Sequence, residues 1–497
     1  MKEVSEYLQE NILLVLEGAI LIVQLFKVNF RFPHRFRSIL GLFGSMPGLT
    51  HVLPHILEQP AKQIVLSGPS GFLGSRVLRS LLEVHEERRK RGLEPGEVIL
   101  LSSSPGNLMR FLGSKYSTEQ MRQIRATRVS YFSQHKKDTW VDQLGALGVG
   151  GKDSVFINLA ALAGPQADRP DAMLDVNYHA CVSAAEACEE LGFGHFIQSS
   201  TQATAAERSG QVPYAKHKAM ADYALAHRLT IPVTIASLGL LYCKDDITVG
   251  QDRVGPDMNT AREKGVKLNL IDLSLLPLTP IMGSGKAPLQ PMEVSDASKR
   301  IAFLATCDPS VRPRQDKKSS TIEKLHALHP GLRYYDAVGP ETISILELLK
   351  RFAKYQGKNN FRPVYIDYRH METVLNVRSL GNLNRQFVSL LRSEQDSISP
   401  PSLGDGRVWC SLLKPKSGEG EGERWDGESS LVTLKEAFGR VGSPGEAFRR
   451  RRYPYLKNLK FIYENPRVVW PGILLSAEII LSWLAGKVPG EEEGGFN

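Results

Sequence analysis

The chain has 497 residues, 42% hydrophobic and 23% charged, a balance that excludes a disordered or all-membrane protein and supplies a core for one large domain with appendages, or for two. The formal net charge of +9 is a diffuse excess of Lys and Arg, which solvates a surface, so no nucleic-acid partner is expected. Five cysteines, Cys181, Cys188, Cys243, Cys307 and Cys410, lack the close spacing of a metal knuckle or disulfide framework, so reduced thiols and no metal site are expected.

Residues 1–60 read as an extension. The apolar run 12–26 is broken by Glu17 and is shorter than the roughly 20 residues that span a bilayer, which favours a buried or interfacial helix. An acidic start (Glu3, Glu6, Glu10) precedes a basic, aromatic stretch from Lys27 to Arg37; organelle leaders are poor in acids, so a cleaved leader is not supported.

From Ala61 the pattern changes. The apolar run Gln63, Ile64, Val65, Leu66 leads into Gly68, Pro69, Ser70, Gly71, Phe72, Leu73, Gly74, and then into helical spacing at Val77, Leu78, Leu81 and Leu82. This order predicts strand, tight turn and helix. Further buried strands are expected at 98–101, 155–159, 195–198 and 233–236, with helices over 172–191 and 216–226. Strands that alternate with helices imply a doubly wound parallel sheet with right-handed crossovers.

Each glycine in the Gly-x-x-Gly-x-x-Gly spacing meets a separate steric demand, namely the turn, close approach of backbone to a pyrophosphate, and packing of helix on strand. The helix then aims its first N–H groups at the phosphates. Gly68, Ser70, Gly71, Phe72, Leu73 and Gly74 are therefore expected to hold a nicotinamide dinucleotide. At the end of the second strand stand Ser102, Ser103 and Ser104, with no carboxylate to grip a ribose diol. Hydroxyls with Arg76 or Arg110 nearby favour the 2′-phosphate of NADP(H) over NAD(H), although these serines would equally cap a turn.

The predicted strand over 195–198 is followed by Ser199, Ser200 and Thr201, and the helix after it carries Tyr214 and Lys218. Four residues apart, the phenol and the ammonium share a helix face, so Lys218 is expected to lower the phenol pKa and bind ribose, with Thr201 polarising a carbonyl.

Residues 400–430 are rich in Gly, Pro, Ser, Glu and Lys and read as a flexible insertion. Beyond it, the block from Arg449 to Arg452 precedes an apolar stretch at 468–484, interrupted by Pro471 and Glu478. That stretch suits a membrane interface or a protein partner better than a span.

These motifs together resemble the short-chain dehydrogenase/reductase superfamily in its extended or atypical branch, over residues 63 to about 304. The resemblance implies that Leu159, Ala160 and Ala161 after the fourth strand, and Gly239 after the sixth, border the nucleotide, that Asn158 and Asn177 occupy family positions, and that Thr201, Tyr214 and Lys218 form the catalytic set. Ser237 and Leu238 stand where the family usually reads Arg-Pro, a departure that weighs against sugar-nucleotide chemistry.

In order, Gln290 through Ala297, Val338 through Glu341 with the helix after it, Leu391 through Asp396, and Leu431 through Phe438 resemble the NADPH-holding accessory subunit of mitochondrial complex I and its quinone-linked relatives. This implies a Rossmann domain at 61–310 with interleaved segments of a smaller C-terminal α/β domain, a substrate or docking domain at 311–399, and a C-terminal extension at 431–497 with an interfacial apolar helix.

Two expectations follow. One is a nucleotide-holding subunit or assembly partner on the matrix side of the mitochondrial inner membrane, with membrane-complex subunits as partners and terminal apolar segments at the membrane surface. The other is an active NADP(H)-dependent oxidoreductase acting on a hydrophobic carbonyl or quinone-like substrate. A sugar-nucleotide epimerase or dehydratase is a third.

Overall fold

The computed structural model describes residues 61–131, 136–162, 170–205, 213–243, 248–249, 274, 279–306, 325, 327–355, 360–366, 409 and 412. The extensions at 1–60 and 431–497, and the motif at 391–396, lie outside these residues. Among the described residues, no helix is long and apolar enough to cross a membrane.

Strand β1 (Gln63–Ser67) leads into helix α1 (Gly74–Lys90). Strand β2 (Glu97–Ser102), helix α2 (Pro105–Gly113), the single turn α3 (Thr118–Met121) and strand β3 (Ile124–Arg128) follow. Next come α4 (Lys137–Ala146), β4 (Ser154–Asn158), α5 (Pro170–Leu174), a π-helical turn (Asp175–His179) and α6 (Ala180–Glu190). Strand β5 (His195–Thr201), α7 (Pro213–Arg228) and β6 (Val233–Leu238) complete this run.

The remaining elements are short strands and two helices: β7 (Leu241–Cys243), β8 (Thr248–Val249), β9 (Thr279–Met282), β10 (Pro288–Leu289), β11 (Met292–Glu293), α8 (Val294–Thr306), β12 (Arg333–Ala337), β13 (Ile343–Ser344), α9 (Ile345–Tyr355) and β14 (Pro363–Ile366).

Seven strands form one sheet in the order β12-β6-β5-β4-β1-β2-β3, with every neighbouring pair parallel. This is the Rossmann arrangement expected from the sequence. Strand order reverses between β1 and β4, which opens a crevice beyond their C-terminal ends.

Both faces are covered, as a parallel sheet requires. On one face α1 and α8 pack over Ile64, Leu66, Val98, Leu100, Ile157 and Ile197, and the Ser80 and Ser298 hydroxyls, 3.2 Å apart, join the two helices. On the other, α4, α6 and α7 cover Val65, Ile99, Phe156, Phe196, Val233 and Ile235. The alternation along each strand assigns its residues to the two cores in turn. A smaller cluster built from Tyr242, Ile281, Ile343, Leu348, Leu349 and Phe352 joins α9 to β7, β9 and β13, which is the smaller α/β part.

Two features differ from expectation. Strand β12 comes from the 311–399 segment, yet it pairs with β6 in the main sheet, so the sheet draws on chain beyond the expected boundary at 310. Within the segment expected to be a flexible insertion, Trp409 is fully buried and Leu412 nearly so; they belong to the core under α8. Buried Arg300 donates from Nε to the Trp409 carbonyl at 2.9 Å, and the Trp409 indole N–H meets the Met292 sulfur at 3.3 Å. A large aromatic thus joins the core from a segment of polar average composition, and the flexible reading fails at 409 and 412. The rest of 400–430 lies outside the described residues.

Candidate nucleotide-binding site

The crevice at the switch point is floored by the glycine turn. Gly68 has φ +67°, and a Cβ there would stand 2.9 Å from the Ala160 nitrogen. Only glycine combines that backbone angle with such close approach to the chain leaving β4. A Cβ on Gly74 would stand 2.0 Å from the Gly68 carbonyl oxygen, so contact between turn and helix explains this glycine too.

Gly71 is different. Its N–H donates to the Gly68 carbonyl at 3.0 Å, but a Cβ added to it would meet only that same carbonyl oxygen, at 3.2 Å. Among the described residues, nothing else stands within 4 Å of that position. Helix α1 begins three residues later, with no acidic residue in its first turn and no side-chain cap at Leu73. The N–H groups of Ser75, Arg76 and Val77 already bond the Gly71 and Leu73 carbonyls, at 3.1, 3.0 and 2.9 Å, and the helix dipole still makes that end attractive to an anion. An open glycine face at an uncapped helix N-terminus fits a diphosphate.

The walls are set by buried polar groups. The Ser67 hydroxyl accepts from the backbone N–H groups of Leu159 and Ala160, each at 3.0 Å, and donates to Asn158 Oδ1 at 2.6 Å. Leu159 and Ala160 thus border the crevice with their amides already engaged. Asn158 donates to Gln198 at 2.8 Å, and the Cys181 thiol also donates to Gln198, at 3.2 Å. Cys181 and Cys188 are free and buried; burial pushes the Cys181 thiol up to about 12.

Asn177, within the π-helical turn, accepts from the Leu162 N–H at 2.8 Å and donates to the Leu162 carbonyl at 2.9 Å, which pins the end of the loop carrying Ala160 and Ala161. Leu162 in turn packs with Met173, Val176, Tyr131 and Tyr214. The Tyr131 hydroxyl is 3.4 Å from the Leu101 carbonyl and interacts with Ser67 and the Gly68 backbone. Tyr131 and Tyr214 thus pack against the same small apolar cluster.

At the end of β2, the Ser102 hydroxyl accepts from the Ser104 N–H at 3.1 Å, the turn-capping role weighed against nucleotide contact. Ser103 and Arg110 are exposed. The Arg76 guanidinium lies 4.5 Å from the Phe72 ring centre and donates to the Phe72 carbonyl at 2.8 Å. Ser70 is half-buried beside Gly71. Gly239 is accounted for by packing, because a Cβ there would stand 2.7 Å from the Gln290 carbonyl oxygen.

Thr201 is half-buried at the end of β5, and its hydroxyl accepts from the Ala203 N–H at 3.3 Å. Lys218 is fully buried and donates from Nζ to the Ser199 carbonyl at 2.8 Å. The expectation that its ammonium lowers the Tyr214 pKa is not met: burial, followed by the charge of Asp222, raises the phenol to about 12.

Sequence reasoning missed Ser67, Tyr131, Gln198 and Asp222. Three of them have a recognisable signal. Ser67 ends an apolar buried strand, Gln198 is a polar residue in a strand buried over His195–Ser200, and Asp222 falls one turn after Lys218 on its buried face. Among the described residues, no cluster of His, Cys, Asp or Glu is placed to hold a metal.

No protein-family model matches the chain, and no curated protein matches it. Solved structures do. The epimerase Mth375 from Methanothermobacter thermautotrophicus is 15% identical, with 72% of this chain and 95% of that chain covered and a TM-score of 0.43. Pal from Bacillus thuringiensis is 14% identical, covering 70% and 99%, with a TM-score of 0.43. A UDP-glucuronic acid 4-epimerase from Bacillus cereus, solved with NAD, is 18% identical, covering 69% and 93%, with a TM-score of 0.41. These likenesses carry no inference about chemistry; the Rossmann assignment stands on the strand order described above.

Proposed function

We propose that this chain holds a nicotinamide dinucleotide in the crevice between β1 and β4, and that holding it is the chain's main role. The observation that carries the reading is Gly71, where, among the described residues, a side chain would meet only the Gly68 carbonyl of its own turn. The diphosphate would lie against the turn from Gly68 to Gly74, with Ser70, Phe72 and Leu73 around it and Leu159, Ala160 and Ala161 on the far wall. Lys218 would serve the ribose hydroxyls. The nicotinamide, when bound, supplies hydride-transfer chemistry.

NADP(H) is the preferred form in this proposal, because the end of β2 carries Ser102, Ser103 and Ser104 with no carboxylate, and Arg110 stands exposed on α2. The finer part of the proposal is a nucleotide-holding subunit or assembly partner of a mitochondrial inner-membrane complex, facing the matrix. It rests on the order of the C-terminal motifs and on the apolar terminal segments. The half-buried Tyr214 phenol, raised to about 12 by desolvation and the charge of Asp222, favours holding over turnover, since a proton-transferring group works best with a pKa near the ambient pH.

A second reading is an active enzyme, an oxidoreductase or an epimerase/dehydratase-like catalyst. It is favoured by the placement of Thr201 at the end of β5 and of Lys218 on the Ser199 carbonyl of the same strand. Purified protein separates the readings. NADPH that survives dialysis at one per chain and is not reoxidised by added ketones or quinones supports holding. A measurable rate abolished by Tyr214→Phe supports the enzyme. Carbonate extraction tests the membrane role: equal release of the full chain and a chain ended before Arg449 contradicts it.

A further inference from the structure

Directly after β5 the chain makes a single 3₁₀ turn over Gln202–Ala205. Thr201 is bonded into that turn twice: its hydroxyl accepts from the Ala203 N–H at 3.3 Å, and its carbonyl accepts from the Thr204 hydroxyl at 2.9 Å. The turn and the Thr201 side chain therefore move together.

Gln202 ties this turn to the sheet. It is buried, and its Nε2 donates to the Ser237 carbonyl on β6 at 2.9 Å and to Asp336 Oδ1 on β12 at 3.0 Å. Ser200, Ser237 and Asp336 stand in register across β5, β6 and β12, so one side chain reaches over two strands. Ser237 and Asp336 are buried as well, and buried hydrogen bonds are costly to leave unmade. The unexpected seventh strand thus does more than widen the sheet: it anchors the turn after β5.

A dinucleotide laid across the switch point places its adenosine half over β1 and β2 and its nicotinamide half over β4 and β5. Thr201 ends β5, on the nicotinamide side. We propose that Gln202 is the positioning residue for Thr201: held by β6 and by Asp336 of β12, it fixes the turn that presents the Thr201 O–H to the carboxamide of a bound nicotinamide. The presentation to nicotinamide rests on the nucleotide-holding reading; the link from Gln202 to Asp336 does not.

The test compares binding of NADPH with binding of 2′,5′-ADP, which carries the adenosine half and no nicotinamide. Gln202→Leu weakens NADPH about tenfold, the scale of one net hydrogen bond, and leaves 2′,5′-ADP within about twofold of wild type. Thr201→Ala and Asp336→Leu have similar effects, while Asp336→Asn, which keeps the Oδ1 acceptor, stays near wild type. In a Thr201→Ala background Gln202→Leu adds nothing further, because both changes act through one hydroxyl. Equal losses for the two ligands, no loss for either, or a full additional loss in the Thr201→Ala background overturns the proposal.

Melting of nucleotide-free protein tests the link by itself. Gln202→Leu and Asp336→Leu each lower the melting temperature, and the double variant loses less than the two single changes summed, because an apolar pair leaves neither side chain without its partner. Strictly additive losses contradict the link. If the wild type binds neither ligand, the nucleotide reading falls and takes the role of Thr201 with it, while the melting cycle still decides whether Asp336 anchors Gln202.

Discussion

Gly74 shows how little freedom some single positions have. An alanine there would place Cβ 2.0 Å from a backbone oxygen, and backbone cannot swing aside as a side chain does. Gly74→Ala is expected to cost about 3 kcal/mol in equilibrium denaturation, and a loss under about 0.5 kcal/mol would show that the turn relaxes freely. Two buried ionisable groups tilt stability in opposite directions with pH. Burial lowers the His85 pKa to about 4, so between pH 4 and its unfolded 6.5 the unfolded chain binds more protons and stability rises with pH. Asp222, raised from 3.8 to about 7, is protonated longer in the folded chain, so it makes stability fall with pH over an overlapping window. His85→Gln removes the first effect alone. Its stability should drop more steeply than wild type as pH rises from 4 to 6.5, by up to about 3 kcal/mol, in denaturation curves taken at several pH values; parallel profiles would contradict a buried neutral His85.

Elements with a single dominant period were legible in sequence, and those shaped by tertiary context were not. Strands β1, β2, β4, β5 and β6 have apolar cores because they are buried on both faces. Strand β3 went unread: at the sheet edge its sequence Ile-Arg-Ala-Thr-Arg is largely solvent-facing, so no apolar run announces it. Strand β12, Arg-Tyr-Tyr-Asp-Ala, is buried, but its two tyrosines and its aspartate look like loop chemistry until their partners are known. The helix expected over 172–191 is present, yet its π-helical turn at Asp175–His179 could not be foreseen, since 3.6-residue spacing carries no sign of one extra residue. That turn presents Asn177 to both backbone groups of Leu162. Asn177→Ala leaves two buried backbone groups unpaired and should cost about 2–4 kcal/mol while weakening NADPH binding through the loosened 159–162 loop. Unchanged nucleotide affinity in this variant would separate the π turn from the site.

At the scale of the whole molecule, the glycine turn and the alternating architecture were readable, because each rests on local backbone requirements. The polar layer from Ser67 through Asn158 and Gln198 to Cys181 was not, because its members come from three strands and a helix far apart in sequence. The same is true of Trp409, the aromatic under α8. Its removal as Trp409→Ala should lower stability by about 3–5 kcal/mol in chemical denaturation, and a chain ended at residue 399 should lose at least as much; no change would mean the 409–412 segment contributes nothing to the core. The proposed nucleotide site rests on Gly71, where, among the described residues, a side chain would meet only the Gly68 carbonyl. Gly71→Ala, compared with wild type for NADPH binding and for melting without nucleotide, tests it most directly. The expected result is a nucleotide-free melting curve within about 1 kcal/mol of wild type and at least a roughly tenfold loss of NADPH affinity, equivalent to about 1.4 kcal/mol. Wild-type NADPH affinity in Gly71→Ala would contradict it.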